Sequence, residues 1–115
     1  MVSLTTDLGT ISYSEDIIAK IAGRSAESCY GIVGMSTKKA TDGLAELLNW
    51  ENYAKGIKVS TNEGKITIDM YVMVEYEVSI MAVASSAIDA VKYNVENYTG
   101  LTVDKVNIII EGIRV

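Results

Sequence analysis

The sequence predicts an α+β fold, a two-layer sandwich in which two main helices lie on one mixed β-sheet. Three observations carry this. Residues 66–74 alternate without a break, Ile66, Ile68, Met70, Val72 and Val74 against Thr67, Asp69, Tyr71 and Met73, as a strand with one buried face must. Two other stretches carry apolar residues at helical spacing behind a serine N-cap. The elements follow in the order β-α-β-(short α)-β-β-α-β, which suits helices packed on a sheet.

Gly9–Tyr13 reads as a first strand, leading to Ser14 as N-cap of a helix whose first residues, Glu15 and Asp16, suit the helix dipole. Ile17, Ile18, Ile21, Ala22, Ser25 and Cys29 form its apolar stripe, and Gly31 is a natural stop. Ile32–Met35 is a short apolar strand. Residues 36–55 read as an insertion within the domain, with an exposed loop around Lys38, Lys39 and Asp42-Gly43. A one- or two-turn amphipathic helix on Leu44, Leu47 and Leu48 follows, with Trp50 and Tyr53 close behind.

Ile57 and Val59 mark the next strand, turned at Asn62-Glu63-Gly64 into the alternating strand. Ser79 caps a second helix with the stripe Ile80, Val83, Ala84, Ala87, Ile88, Val91, Val95 and Tyr98, ended by Gly100. Val106, Ile108 and Ile110 mark a last strand to about Ile113. If it lies parallel to the alternating strand, the connection through the helix is a right-handed crossover. The 115 residues fit one domain, 1–115.

Composition narrows function. The chain has no histidine and one cysteine, which removes the commonest general base, the commonest transition-metal ligand and any intrachain disulfide. No catalytic, cofactor-binding or metal site is therefore expected. A net charge of −5 and a pI near 4.6 repel phosphate backbones and anionic lipid. No apolar run approaches the roughly 20 residues of a membrane span, and the start of the chain has no signal-peptide pattern, so a cytoplasmic location without membrane insertion is expected.

Four features are weighed as sites. Gly31-Ile32-Val33-Gly34 has the GxxG form with which KH domains clamp a nucleic-acid backbone, but its apolar middle fits a helix stop before a strand. Asp69, Glu75 and Glu77 share parity on the long strand, with Glu111 near them, and fit a solvated polar face. Cys29 lies on an apolar stripe with no cation beside it, as a small buried hydrophobe would. The fourth is the sheet face opposite the Ile66–Val74 row. It carries Tyr71, Met73, Ile109 and Ile113, residue types that protein interfaces favour, unless a helix or the Leu44–Trp50 segment covers it. Leu44, Leu48, Trp50 and Tyr53 form a second candidate docking segment.

Gly9-Thr10-Ile11-Ser12, the Asp16–Ala22 run, Gly31-Ile32-Val33-Gly34, Gly43–Leu48, Lys55–Val59, the alternating strand, Thr99-Gly100-Leu101, Val106-Asn107-Ile108 and Glu111-Gly112-Ile113 together resemble the alkaline shock protein family of Gram-positive bacteria. The resemblance spans almost the whole chain and is closest to its short, housekeeping-type members. It implies a non-enzymatic interaction or scaffold protein linked to cell-envelope or alkaline stress, without a cofactor. It also implies action through a homo-oligomer or protein partner, and recruitment to the membrane by a separate anchoring protein. The alternative from the residues alone is a KH-like nucleic-acid-binding module.

Overall fold

The computed structural model describes residues 1–35 and 56–115. In chain order the elements are β1 (Val2–Thr6), β2 (Gly9–Tyr13), α1 (Glu15–Glu27), β3 (Ile32–Met35), β4 (Ile57–Asn62), β5 (Lys65–Glu75), α2 (Ile80–Thr99) and β6 (Thr102–Arg114). The architecture is α+β. The short helix expected on Leu44–Leu48 lies outside the described residues.

β5 is the axis of the main sheet. β4 pairs antiparallel with its first half, from Asn62↔Lys65 to Ile57↔Met70. β3 pairs antiparallel with its second half, from Met35↔Val72 to Ile32↔Val74, along the same edge. β6 runs parallel along the opposite edge, from Lys65↔Thr102 to Glu75↔Arg114. The predicted alternation is realised in full: Ile66, Ile68, Met70, Val72 and Val74 are completely buried, while the residues between them are half-buried. Each such side chain contributes roughly 1.5–3 kcal/mol by leaving water.

Both helices cover the buried side of this row. α1 packs on β3, β4 and β5, α2 packs on β6, and the helices pack on each other. Ile18, Ala22 and Ala26 of α1 meet Val83, Ala87, Val91 and Val95 of α2 in one core with the β5 row. Small residues on α1 let the helices approach closely enough for Asn94 Nδ2 to donate to Ser25 Oγ at 3.0 Å. The caps are those expected: Ser14 Oγ accepts from the Ile17 N–H (3.1 Å), and Ser79 Oγ from the Ala82 N–H (3.4 Å). Gly100 takes the left-handed conformation and donates to the Glu96 carbonyl.

Several expectations change. Gly9–Tyr13 does not join the main sheet; it pairs antiparallel with β1 as a separate two-stranded hairpin. Val2 and Leu4 alternate with Ser3 and Thr5, a pattern too short and too rich in hydroxyls to stand out. The hairpin is tied to the C-terminal end of α2: Val2 is buried in the core, and Tyr13 Oη donates to the Thr99 carbonyl at 2.7 Å. α1 ends at Glu27, not at Gly31, because Ser28 closes it by donating from both N–H and Oγ to the Arg24 carbonyl. The stripe on α2 also turns: Tyr98 is 70% exposed, and Thr99 fills the buried position by donating its hydroxyl to the Val95 carbonyl.

Gly31 makes the turn into β3 with φ +94, a conformation that L side chains rarely adopt. A Cβ there would stand 2.5 Å from Val83 Cγ2 on α2, and the Gly31 carbonyl accepts from the Glu75 N–H at 2.9 Å. One residue thus joins α1, α2 and the end of β5. Gly31→Ala should cost about 1–3 kcal/mol, from backbone strain and overpacking. Ile68→Ala should cost about 2–5 kcal/mol, whereas its neighbour Thr67→Ala, facing the other way, should cost under about 1 kcal/mol. Urea unfolding of the three variants checks the ranking.

Candidate functional site

The side of the sheet that neither helix covers is built from three strands in register. Its rows run Ser60–Thr67–Lys105, Lys58–Asp69–Asn107 and Tyr71–Ile109. Asn107 Nδ2 donates to Asp69 Oδ1 at 2.8 Å, closing the middle row. Arg114 forms an ion pair with Glu75 at the end of the strands. Tyr71, Met73 and Ile109 make an apolar centre between these polar rows, each half-buried by its neighbours. The Tyr71 N–H donates to the Gly56 carbonyl (2.8 Å), which anchors the start of β4 beside it.

The predicted face therefore holds three of its four residues together. Ile113 does not belong to it. The β5–β6 register shifts between Val72 and Met73, so Val72 lies beside Ile110 while Met73 lies beside Gly112. Glu111 is the extra residue, and it reverses the facing of everything after it. Ile113 then stands beside Val74 on the helix side, 45% exposed at the end of the strand. Gly112 takes the place on the open face, and Met73 lies across it: a Cβ at Gly112 would meet Met73 Cε at 3.1 Å. The signal that could have found this is the lone glycine inside an apolar strand, which marks a bulge or a close approach. Parity alone passes over it. Leu44, Leu48, Trp50 and Tyr53 lie outside the described residues.

The other candidates take structural places. Gly31–Gly34 runs from the turn after α1 into β3 rather than between two helices, and Ile32 is buried. Asp69 and Glu75 stand six residues apart on one strand, about 20 Å, well beyond the roughly 5–10 Å at which two carboxylates share a reaction. Among the described residues, no group of three or more His, Cys, Asp or Glu side chains is placed to hold a metal ion. Cys29 lies just past α1, partly buried, its Sγ 3.4 Å from the Ser25 carbonyl to which it donates. Burial pushes its pKa up, so little thiolate forms at neutral pH. No described helix is long and apolar enough to cross a membrane.

Among the described residues the domain is α+β, with both helices on one side of the main sheet and neither on the other. Residues 3–115 match the model of the alkaline shock protein 23 family, described as having cell envelope-related function, and the chain belongs to that family. It is 44% identical to the uncharacterized protein YloU of Bacillus subtilis, over 99% of this chain and 96% of the relative. It is 40% identical to the uncharacterized protein Spy1614 of Streptococcus pyogenes, over 99% and 95%. Stress response regulator gls24 homologs of Streptococcus pyogenes are 24% identical over 92% of this chain, which spans 59% of their length. No solved structure matches the chain.

The partly buried thiol yields a direct check. Alkylation of Cys29 by iodoacetamide at neutral pH should be several-fold slower than that of free cysteine, and should accelerate as pH rises above the ordinary thiol range. Mass spectrometry of the alkylated fraction over time measures both.

Proposed function

We propose that the protein is a non-enzymatic scaffold of the envelope stress response, acting through self-association on the open face of its sheet. The observation that carries this reading is the Tyr71–Met73–Ile109 cluster. Three large apolar side chains, of types enriched at interfaces, sit together on the side turned away from both helices. The rows around them are polar, as an interface rim is. The family's cell envelope-related function and the stress-response names of the gls24 homologs supply the physiological setting.

The chemistry of the chain supports this over catalysis. It has no histidine, and its one cysteine is held in the thiol form at neutral pH. The net charge of −5 favours protein partners over nucleic acid or anionic lipid. On this reading the protein works in the cytoplasm without cofactor, and reaches the envelope through a membrane-anchored protein rather than by inserting itself.

Sedimentation velocity of the wild type beside Tyr71→Glu/Ile109→Glu tests the reading. The wild type should self-associate, and the double variant should weaken that association at least about tenfold while keeping its circular dichroism spectrum. A wild type that stays monomeric at high concentration overturns it.

A further inference from the structure

The basic side chains of the described residues fall into two groups. Lys20, Lys92 and Arg114 are each paired with a carboxylate, that of Asp16, Glu96 and Glu75. Lys58, Lys65 and Lys105 are exposed and form no ion pair with a described residue. Yet the chain has carboxylates to spare, 15 acidic side chains against 10 basic ones.

The register brings these three lysines to one place, on the side of the sheet that α1 and α2 leave uncovered. Lys65 stands on β5 between Asn62 and Thr102. Lys105 stands one row on, beside Thr67, and Lys58 one row further, beside Asp69. The shift between Ile66 and Thr67 is what puts Lys105 there: without the extra residue on β6, Asp104 would lie beside Thr67 in its place. Rows on one side lie about 7 Å apart and neighbouring strands about 4.8 Å apart, so the lysines form a diagonal across three strands. The carboxylate in these rows, that of Asp69, accepts from Asn107 Nδ2 at 2.8 Å. Protection of a strand edge accounts for lysines on outer strands, but Lys65 is on β5, which is paired along both edges. Three neighbouring cations repel one another, and an anionic partner relieves that repulsion.

We infer that this half of the open face binds an acidic protein segment lying extended along the strands. Side chains on one face of an extended segment repeat about every 7 Å, the interval of the rows, so carboxylates at alternate positions meet one lysine per row. Ser60 and Thr67 supply hydroxyl donors among the lysines. The chemistry favours carboxylate over phosphate. No arginine stands in these rows to grip a phosphate through two N–H groups. Tyr71 is half-buried beside Met73 and Ile109, where a base has little ring to stack on. The net charge of −5 repels a nucleic acid along its whole length, and a short acidic segment much less. The site shares the open face with the self-association proposed above but not its residues, since Tyr71, Met73 and Ile109 occupy the rows beyond.

Titration of the full chain with poly-L-glutamate, followed by amide NMR shifts, tests this, with poly-uridylate of equal length as the phosphate counterpart. At about 50 mM salt, poly-L-glutamate should shift the amides of Lys58, Lys65, Thr67 and Lys105, and its Kd should rise several-fold at about 200 mM. Lys58→Ala/Lys65→Ala/Lys105→Ala should raise Kd at least about tenfold with an unchanged circular dichroism spectrum. Lys58→Arg/Lys65→Arg/Lys105→Arg should stay within a few-fold of the wild type, and Asp69→Asn should bind more tightly. Absence of binding, binding that the alanine variant retains, or tighter binding of poly-uridylate overturns the inference. Self-association is read separately by sedimentation: a monomeric wild type that binds poly-L-glutamate overturns the self-association and upholds this site.

Discussion

The alternation along β5 is the constraint on which the rest of the structure depends. Five consecutive inward side chains, Ile66 to Val74, have no exposed surface. A slip of one residue would turn all of them to water and put Asp69 and Glu75 into the core, so the register is strongly determined. Every other element of the main sheet is placed by pairing with this strand. β4 and β3 share one edge end to end, and β6 takes the whole of the other. The helices have one surface to cover and together cover it. Gly31 shows how tightly the arrangement closes, because no side chain fits between the end of β5 and Val83 on α2.

The same alternation leaves a second surface that neither α1 nor α2 covers. On that side Asn107 is engaged with Asp69, and Arg114 with Glu75. Tyr71, Met73 and Ile109 are the large apolar side chains of this side, each half-buried among the described residues. The bulge at Glu111 sharpens it. It removes Ile113 and puts Gly112 beside Met73, whose side chain lies close over the glycine. A partly apolar sheet surface bordered by polar rows has the composition of an interface core and rim.

How much of this was legible in the sequence depended on the range of the physics. Caps and periodicities are local, so Ser14, Ser79, Gly100 and the β5 strand could be read from neighbouring residues. Asn62–Gly64 was equally plain, since a hairpin turn is its own signal. The failures came where tertiary context decides. The β1–β2 hairpin owes its place to contacts with the far end of α2, some 86 positions along the chain from Tyr13 to Thr99. Tyr98 and Thr99 exchange roles because the end of α2 needs a hydroxyl at the buried position, a demand no helical wheel contains. Parity puts Tyr71, Met73 and Ile109 on one side of the sheet, as the register does, and puts Ile113 there too, where the register does not. A bulge depends on pairing, and parity counted along one strand cannot see a residue added against its partner.

The two bulges mark where β6 departs from regular pairing with β5. Asp104 and Glu111 are the residues by which β6 departs from β5, and each is a charge at the border of an aliphatic run. Along an edge strand such charges act as gatekeepers, limiting which strands can be added and in what register. The chain is acidic overall, so two copies repel at a distance, and any association must come from short-range complementarity. Backbone hydrogen bonds are the same for every partner and supply attraction without selectivity.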